Sequence, residues 1–307
     1  MQALGKLKLQ TKLIVVDKSE DALKKACSDF EDIYNNTQHI DYLQDIQSLP
    51  KNLDLCIIAT TADVRKDVIV ELTNNKNVQF LILEKILFQK IKHYRLVKDI
   101  LIQNNIDAWV NCAMRAWPVY RHIKNILDDE KILQINISGS NWGMGTSLIH
   151  YIDLIMHLSD SIDYKIQNID LNKEFQNSKR KGSIEFTGTI IGKTANETIF
   201  TISSYQYGNF PAKIEIFSES KEIIVHERKA IIEISCESNN WEKEIVQLEF
   251  KYVSQLTNVI VENILENGNC VLPTFSDSSV IHIQMIKSLI SYYNLVTKQE
   301  LDYIPIT

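Results

Sequence analysis

The first third of the chain alternates short apolar runs with stretches of helical spacing. The apolar runs are rich in branched residues and predict strands at 12–17, 53–60, 78–83 and 107–112. Polar and apolar positions between them predict helices at 19–30, 63–74 and 91–104, the second with Val64, Val68, Ile69 and Leu72 on one face. Nearly continuous apolar strands that alternate with helices are typical of βαβ units and of a parallel sheet covered on both faces.

The pattern changes after Trp117 and Pro118. Stretches of strict apolar/polar alternation follow at 132–138, 164–171, 183–191, 197–205, 213–217, 222–225, 230–236 and 245–252. Further helices are predicted at 119–127, 147–158, 254–266 and 276–293. Alternation of this kind indicates an antiparallel sheet with one solvated face.

The predicted fold class is therefore α/β with two domains. Residues 1–112 are expected to form a Rossmann-like, doubly wound parallel sheet. Residues 113–307 are expected to form an α+β domain with a large, mostly antiparallel open sheet that binds substrate and mediates oligomerisation. The C-terminal helices are expected to pack back on the first domain.

Composition excludes several classes of protein. The 307 residues are 45% hydrophobic and 23% charged, so a core of normal size needs no disulfide or metal support. The net charge of -6, without a basic stripe, argues against a nucleic-acid partner. Five cysteines without a C-x-x-C pair indicate a reducing compartment and argue against a zinc site. With no signal-like N-terminus and no apolar run of about 18 residues, we expect a cytoplasmic protein that does not bind membranes.

Asp17 closes the first predicted strand. In a dinucleotide-binding βαβ unit, an acid at this place binds the adenosine ribose about 20 residues after a G-x-G-x-x-G loop. Only 16 residues precede Asp17, and they contain no such loop; residues 2–8 are similar to the end of the helix that should follow it. We therefore expect that the first strand and the glycine loop, roughly 20 residues, lie upstream of this sequence. The alternatives are that cofactor binding is lost and that Asp17 is a turn residue.

Three further segments carry a family resemblance. They are Glu84-Lys85-Ile86, the stretch 111–118 (NCAMRAWP), and the stretch 139–153 (GSNWG…), which ends in His150-x-x-Asp153. In this order and spacing the chain resembles the Gfo/Idh/MocA family of oxidoreductases. The resemblance implies an NAD-dependent enzyme, with NADP the less favoured cofactor. Its implied substrate is a sugar, cyclitol or nucleotide sugar, which includes steps of surface-polysaccharide synthesis. It also implies a homo-dimer or homo-tetramer.

The resemblance assigns roles to individual residues. It implies catalytic roles for Lys85, His150 and Asp153. It implies cofactor contacts for Asp17, Thr60, Glu84, Lys85 and Arg115, and substrate contacts for Lys85, Trp142, Thr146 and His150. A lysine beside the reacting hydroxyl and an imidazole are suited to take up the proton that leaves as the hydride is transferred. The family chemistry requires no metal.

Each of these residues also has a structural interpretation. Lys85 can be a surface lysine paired with Glu84, and His150 a helical histidine packed between domains. Asp153 can orient His150 or belong to the domain interface, and Arg115 can form an interdomain ion pair. Trp142 can be a buried aromatic at a strand end.

Two positions depart from the family pattern. Ile86 replaces a proline that is often in a cis bond, so Lys85 is expected to be presented differently. Thr146 replaces an aspartate four residues before His150, and a hydroxyl stabilises imidazolium less than a carboxylate does. Helical spacing also leaves open a His150/Asp153/His157 metal site, which nothing else in the sequence supports.

Overall fold

A computed structural model describes residues 3–31, 40–247 and 253–307. The helices are α1 Glu20–Glu31, α2 Arg65–Asn75, α3 Ile91–Gln103, α4 Pro118–Ile126, α5 Met144–Leu158, α6 Val253–Asn267 and α7 Phe275–Thr297. The strands of the first third are β1 Leu13–Val16, β2 Ile40–Leu43, β3 Asn52–Ile58, β4 Asn77–Leu83 and β5 Asp107–Val110. Those that follow are β6 Ile132–Ser140, β7 Tyr164–Leu171, β8 Gln176–Asn177, β9 Ile184–Glu185, β10 Gly188–Thr194, β11 Ile199–Tyr205, β12 Lys213–Ser218, β13 Lys221–His226, β14 Ile231–Cys236 and β15 Lys243–Gln247.

The first five strands form two separate parallel sheets. Strand β1 pairs only with β2, and β3, β4 and β5 form a second sheet in that order. Within the described residues no ladder joins β1 to β3. In a doubly wound sheet these two strands flank the central strand of the dinucleotide-binding unit. The parallel pairing of all five strands confirms the predicted parallel fold. The described residues do not include a strand that pairs with both β1 and β3.

The large sheet of the second half has eight strands in the order β15-β14-β13-β12-β6-β11-β10-β7. All neighbouring pairs are antiparallel except β6 and β11. Alternate residues such as Ile135, Ile137 and Ile202 are buried against the helices, and the residues between them are partly exposed. This confirms the predicted open, mostly antiparallel sheet.

The C-terminal helices contact the first five strands. Ile260 and Ile264 of α6 share an apolar cluster with Phe80 of β4 and Trp109 of β5. The backbone N–H of Val110 donates to the carbonyl of Pro273, just before α7, at 3.0 Å. The predicted boundary at residues 112 and 113 stays a prediction. No described helix combines the length and the apolar character that crossing a bilayer requires.

Several predicted elements were wrong in detail. Strand β2 was not predicted, and the single strand expected at 183–191 is β9 followed by β10. Gly188 has a φ of +120° there, and a Cβ at this position would lie 2.4 Å from the carbonyl oxygen of Asp170. Strand β10 therefore begins at a position that requires glycine.

The two ends of the sequence-based assignment also need correction. The expected helix end at 2–8 is a 3-10 turn, Leu4–Lys6, and residues 1 and 2 lie outside the described residues. The strand expected at 245–252 is Lys243–Gln247, and its remaining positions also lie outside the described residues. On α2, Val64 is 44% exposed, so the buried face comprises Arg65, Ile69 and Leu72 instead.

Candidate active site

The lysine that follows β4 contacts the second half of the chain. The backbone N–H of Glu84 donates to the carbonyl of Ile58 at 3.0 Å, which keeps the strand ends side by side. The next residue, Lys85, donates from Nζ to the carbonyl oxygen of Thr146 in the first turn of α5 at 3.0 Å. Ligands of open α/β sheets bind at the carboxyl ends of the strands. Lys85 is thus at the edge where a site is expected, and it is not paired with Glu84.

Glu84 instead accepts a hydrogen bond from Asn111. The Nδ2 group of Asn111 donates to Oε2 of Glu84 at 2.8 Å, and its backbone N–H donates to the carbonyl of Leu83 at 2.8 Å. This pair fixes the carboxylate beside Lys85 without an ion pair to it. Glu84 therefore lies at the end of β4, and its contact with a cofactor stays a prediction.

Arg65 lies beneath this loop and was not predicted as a functional residue. It is fully buried. Its guanidinium donates to the carbonyls of Thr60 and Ile86 and, at 2.8 Å, to that of Leu87. The helical spacing of Arg65 from Ile69 and Leu72 can be recognised in the sequence, but the carbonyl groups that accept its hydrogen bonds cannot. Arg65 holds the end of β3 and the loop after Lys85 in one arrangement.

The peptide bond between Lys85 and Ile86 is cis. The expectation that Ile86 changes how Lys85 is presented stays a prediction.

His150 lies one helical turn beyond Thr146, and its Nδ1 atom is buried without a hydrogen-bond partner among the described residues. Burial lowers the pKa of His150 to about 3, and the positive charges of Lys85 and His282 add to the lowering. The imidazole is therefore neutral at neutral pH. An unpartnered buried nitrogen next to Lys85 is a free site for a ligand hydroxyl.

The pKa of Lys85 is lowered as well, and for an amine this lowering is towards neutral pH. Burial lowers the pKa of Lys85 from 10.5, Glu84 opposes the lowering, and Arg180 and Arg65 add to it. A proton-transfer group works best when its pKa is near the working pH. The pKa of Lys85 moves towards neutrality and that of His150 moves away from it. The arrangement favours Lys85 for proton transfer and neutral His150 for orienting a hydroxyl.

His282 of α7 is a second buried histidine beside these groups. Its Nδ1 atom donates to the carbonyl of Ser278 at 2.8 Å, and its Nε2 atom has no partner among the described residues. Burial lowers its pKa to about 3; the Ser278 bond opposes this, and Arg65 and Lys85 add to it.

Both histidines are expected to make the protein acid-sensitive. Their folded-state pKa values lie below the unfolded value of about 6.5, so the stability they provide is present above pH 6.5 and is lost as the pH falls towards 3. Each should contribute a loss on the order of 2 kcal/mol between pH 7 and pH 5. Urea unfolding of His282→Asn, which keeps a donor for Ser278, should show a smaller loss over this interval. His122→Asn, at an exposed position on α4, is the control, and an equal pH dependence in wild type and His282→Asn would contradict the assignment.

Asp153 pairs with Arg115 and not with His150. The Nε and Nη2 atoms of Arg115 donate to the two carboxylate oxygens at 2.8 and 2.6 Å, and Asp153 is 1% exposed. Burial raises the pKa of Asp153 while Arg115 opposes the rise. The pair joins the 3-10 turn Ala113–Ala116 to α5, the arrangement that the interdomain ion-pair interpretation describes.

Thr146 binds a carboxylate that the sequence did not associate with it. Its hydroxyl donates to Glu185 of β9, and its backbone N–H donates to the same carboxylate at 3.3 Å. A Cβ on Gly145 would lie 2.5 Å from the carbonyl oxygen of Ile184, so this close approach requires glycine. Thr146 is thereby fixed between Glu185 and, through its carbonyl, Lys85.

The remaining predicted residues lie at different depths. Asp17 is exposed at the end of β1, and its Oδ1 accepts from the backbone N–H of Ser19 at 2.8 Å. Thr60 follows β3, and its Oγ1 atom is buried without a partner among the described residues. Trp142 donates from Nε1 to the carbonyl of Ser203 at 2.9 Å and packs edge-on against Tyr151, 5.1 Å between ring centres.

The site fits one end of a nicotinamide dinucleotide. Thr60 Oγ1 and His150 Nδ1 are buried without a partner among the described residues, and together with Glu84 and Lys85 they are the groups that would hold the nicotinamide end if the cofactor were bound. The described residues do not offer a matching site for the pyrophosphate of the dinucleotide. Gly5 is the only glycine before Gly139 in this sequence, and it lies in the 3-10 turn at 4–6. These residues provide no glycine-rich turn for the phosphates.

A metal site was the remaining alternative for the face of α5. Across the described ranges, no three histidine, cysteine, aspartate or glutamate side chains are grouped as a metal ion requires. Burial lowers the pKa of His157 to about 4, with Arg115 and Lys124 contributing. The carboxylate of Asp153, which such a site would use, is bound by Arg115.

Comparison with known proteins shows the fold. No family model and no curated protein matches the sequence. An oxidoreductase from Agrobacterium radiobacter, solved with NAD+, L-tartaric acid and magnesium, is similar at 14% identity over 97% of this chain and 93% of its own, with a TM-score of 0.72. The super-repressor mutant of Gal80p from Saccharomyces cerevisiae matches at 13% identity, 97% and 94% coverage and a TM-score of 0.71. UDP-N-acetylglucosamine 3-dehydrogenase GnnA from Acidithiobacillus ferrooxidans is similar at 12% identity over 94% of this chain and 91% of its own, with a TM-score of 0.68. These are Gfo/Idh/MocA-type structures, so the fold that the resemblance implies is confirmed.

Proposed function

We propose that the protein is a nicotinamide-dependent oxidoreductase that acts on a hydroxyl of a sugar, cyclitol or nucleotide sugar. The observation that carries the proposal is the 3.0 Å hydrogen bond from Lys85 to Thr146, which joins the edge of the parallel sheet to the helix that bears His150. Solved proteins of this fold include dehydrogenases, one of them named for a nucleotide sugar. We expect NAD to be preferred, and a homo-dimer or homo-tetramer.

The residues of this chain would act on the substrate hydroxyl as follows. Lys85 holds the hydroxyl and accepts its proton as the carbonyl forms, and His150 orients it through its free nitrogen. A bound nicotinamide dinucleotide would supply the hydride acceptor. Asp153 acts on this site through Arg115, since its carboxylate is occupied. It is a positioning residue in this proposal.

A second candidate is a non-catalytic sugar-binding or regulatory protein. One observation favours it: among the described residues, β1 and β2 form a sheet separate from that of β3, β4 and β5. Gal80p from Saccharomyces cerevisiae has a similar fold, and Gal80p from Kluyveromyces lactis, which is also similar, is described as a transcriptional regulator. The two candidates differ in whether this chain binds a dinucleotide.

Calorimetric titration of the full-length protein with NAD+ and NADP+ separates them. The enzyme candidate predicts binding, with NAD+ about tenfold tighter because Asp17 disfavours a 2′-phosphate. Asp17→Ala should narrow that preference, and Asp21→Ala, another exposed acid four residues on, should leave it unchanged. If neither dinucleotide binds, the non-catalytic candidate is favoured; if both bind equally, Asp17 has no role in ribose recognition.

A further inference from the structure

The candidate site contains three cationic side chains, Lys85, Arg65 and Arg180, that form no ion pair among the described residues. Lys85 donates to one neutral carbonyl, and Arg65 donates to three. Arg180, on the turn between β8 and β9, donates from Nη1 to the hydroxyl of Thr307 at 3.2 Å. Buried charges are normally paired, because removing an ion from water is costly.

The three cations act on one another across the same region. Arg180 and Arg65 both lower the pKa of Lys85, after burial, and Arg180 also lowers that of Arg65. The acids that oppose them are Glu84, which accepts from Asn111, and Asp63, which is exposed and screened by water. The buried part of the site therefore has an excess of positive charge. His150 and His282 add none, since both are neutral at neutral pH.

Arg180 is the member of this set that a ligand can reach. Arg180 is exposed to solvent, whereas Arg65 is fully buried beneath the loop that follows Lys85. Its partner Thr307 also accepts from the backbone N–H of Ala62, at 3.5 Å, just after Thr60 at the end of β3. This contact places the guanidinium of Arg180 against the edge of the parallel sheet, on the side of the site formed by β8 and β9.

We propose that the substrate of this site is an anion, with a carboxylate or phosphate group bound by Arg180 while Lys85 holds the reacting hydroxyl. Arginine presents several donors in a planar fork that matches both groups. The bound anion supplies the negative charge that the site lacks. This inference rests on the proposed function in one respect, because it takes the same site to be the substrate site. It narrows the proposed substrate class to acidic or phosphorylated sugars.

The test is equilibrium binding without any dinucleotide. D-glucuronate, D-glucose 6-phosphate and D-glucose are titrated separately by calorimetry at low salt, so that carboxylate and phosphate are compared with a matched neutral sugar. We expect at least one charged sugar to bind ten or more times more tightly than glucose. Arg180→Gln should reduce this preference at least fivefold, and Arg180→Lys should keep part of it. Lys181→Gln, at the next and also exposed position of the turn, should leave it within twofold.

Four results would overturn the proposal: equal binding of charged and neutral sugars, no binding of either charged sugar, an unchanged preference in Arg180→Gln, or an equal loss in Lys181→Gln. The outcome is independent of hydride transfer. A charge preference that depends on Arg180, found in a protein that binds no dinucleotide, would leave this inference standing while the proposed enzyme function fails.

Discussion

Replacing Arg65 with methionine is expected to lower the free energy of unfolding by about 2–5 kcal/mol. The substitution removes three hydrogen bonds from a charged donor, each worth about 1.5–3 kcal/mol. It also removes the free-energy cost of burying a cation. Burial lowers the pKa of Arg65 from 12.5 to about 10, and this difference in pKa corresponds to a cost of about 3 kcal/mol. The lost bonds exceed this relief, because they leave the carbonyls of Thr60, Ile86 and Leu87 without their donor.

Urea unfolding at pH 7 measures the effect. Arg95→Met, on an exposed position of α3, is the matched control and should stay within about 0.5 kcal/mol of wild type. Arg65→Lys should fall between wild type and Arg65→Met, since an ammonium cannot reach all three carbonyls from one position. An Arg65→Met protein as stable as the control would mean that these carbonyls find other partners. Hydrogen exchange should also rise locally in residues 60–62 and 86–88.

Local pattern was enough to predict most of the elements and their order, whereas the family resemblance was what assigned Lys85 and His150 to one site. Lys85 and His150 are 65 positions apart, yet both belong to places that a fold defines: the end of a parallel strand and the start of a helix in the following domain. The apolar run of β4 and the spacing of α5 are strong signals. The structure joins them through Thr146.

What the sequence did not predict depends on contacts between distant backbones. Arg65 resembles any polar position on an amphipathic helix until carbonyls 21 and 22 residues away are placed around it. Glu185 lies in the stretch 183–191 that alternation predicts as one strand, but alternation does not indicate that its carboxylate binds Thr146, 39 positions away. Asp153 was assigned by helical spacing to His150, but a bidentate arginine is the stronger partner for a buried carboxylate.

Replacing Lys85 with methionine is expected to reduce kcat by about 10²–10⁴-fold, on whichever sugar the wild-type protein oxidises, with a smaller change in KM. The amine is the group whose pKa is lowered towards neutrality, and it must be uncharged to accept the hydroxyl proton. Wild-type kcat/KM for oxidation should therefore rise with pH through the folded-state pKa of Lys85, which lies below 10.5. Lys85→Arg keeps the charge but cannot lose a proton, so it should be nearly as inactive as Lys85→Met.

Two measurements make this prediction independent of general damage to the fold. Lys92→Met, at an exposed lysine that pairs with Asp302 at 3.1 Å, should retain full activity. NMR of protein labelled at the lysine side-chain carbons, with the signal of Lys85 identified by its loss in Lys85→Arg, should show one lysine that titrates below the others even without substrate. If Lys85→Arg retained wild-type turnover, the residue would act through its charge alone. Proton transfer would then pass to His150, whose pKa would have to rise far above about 3 when substrate binds.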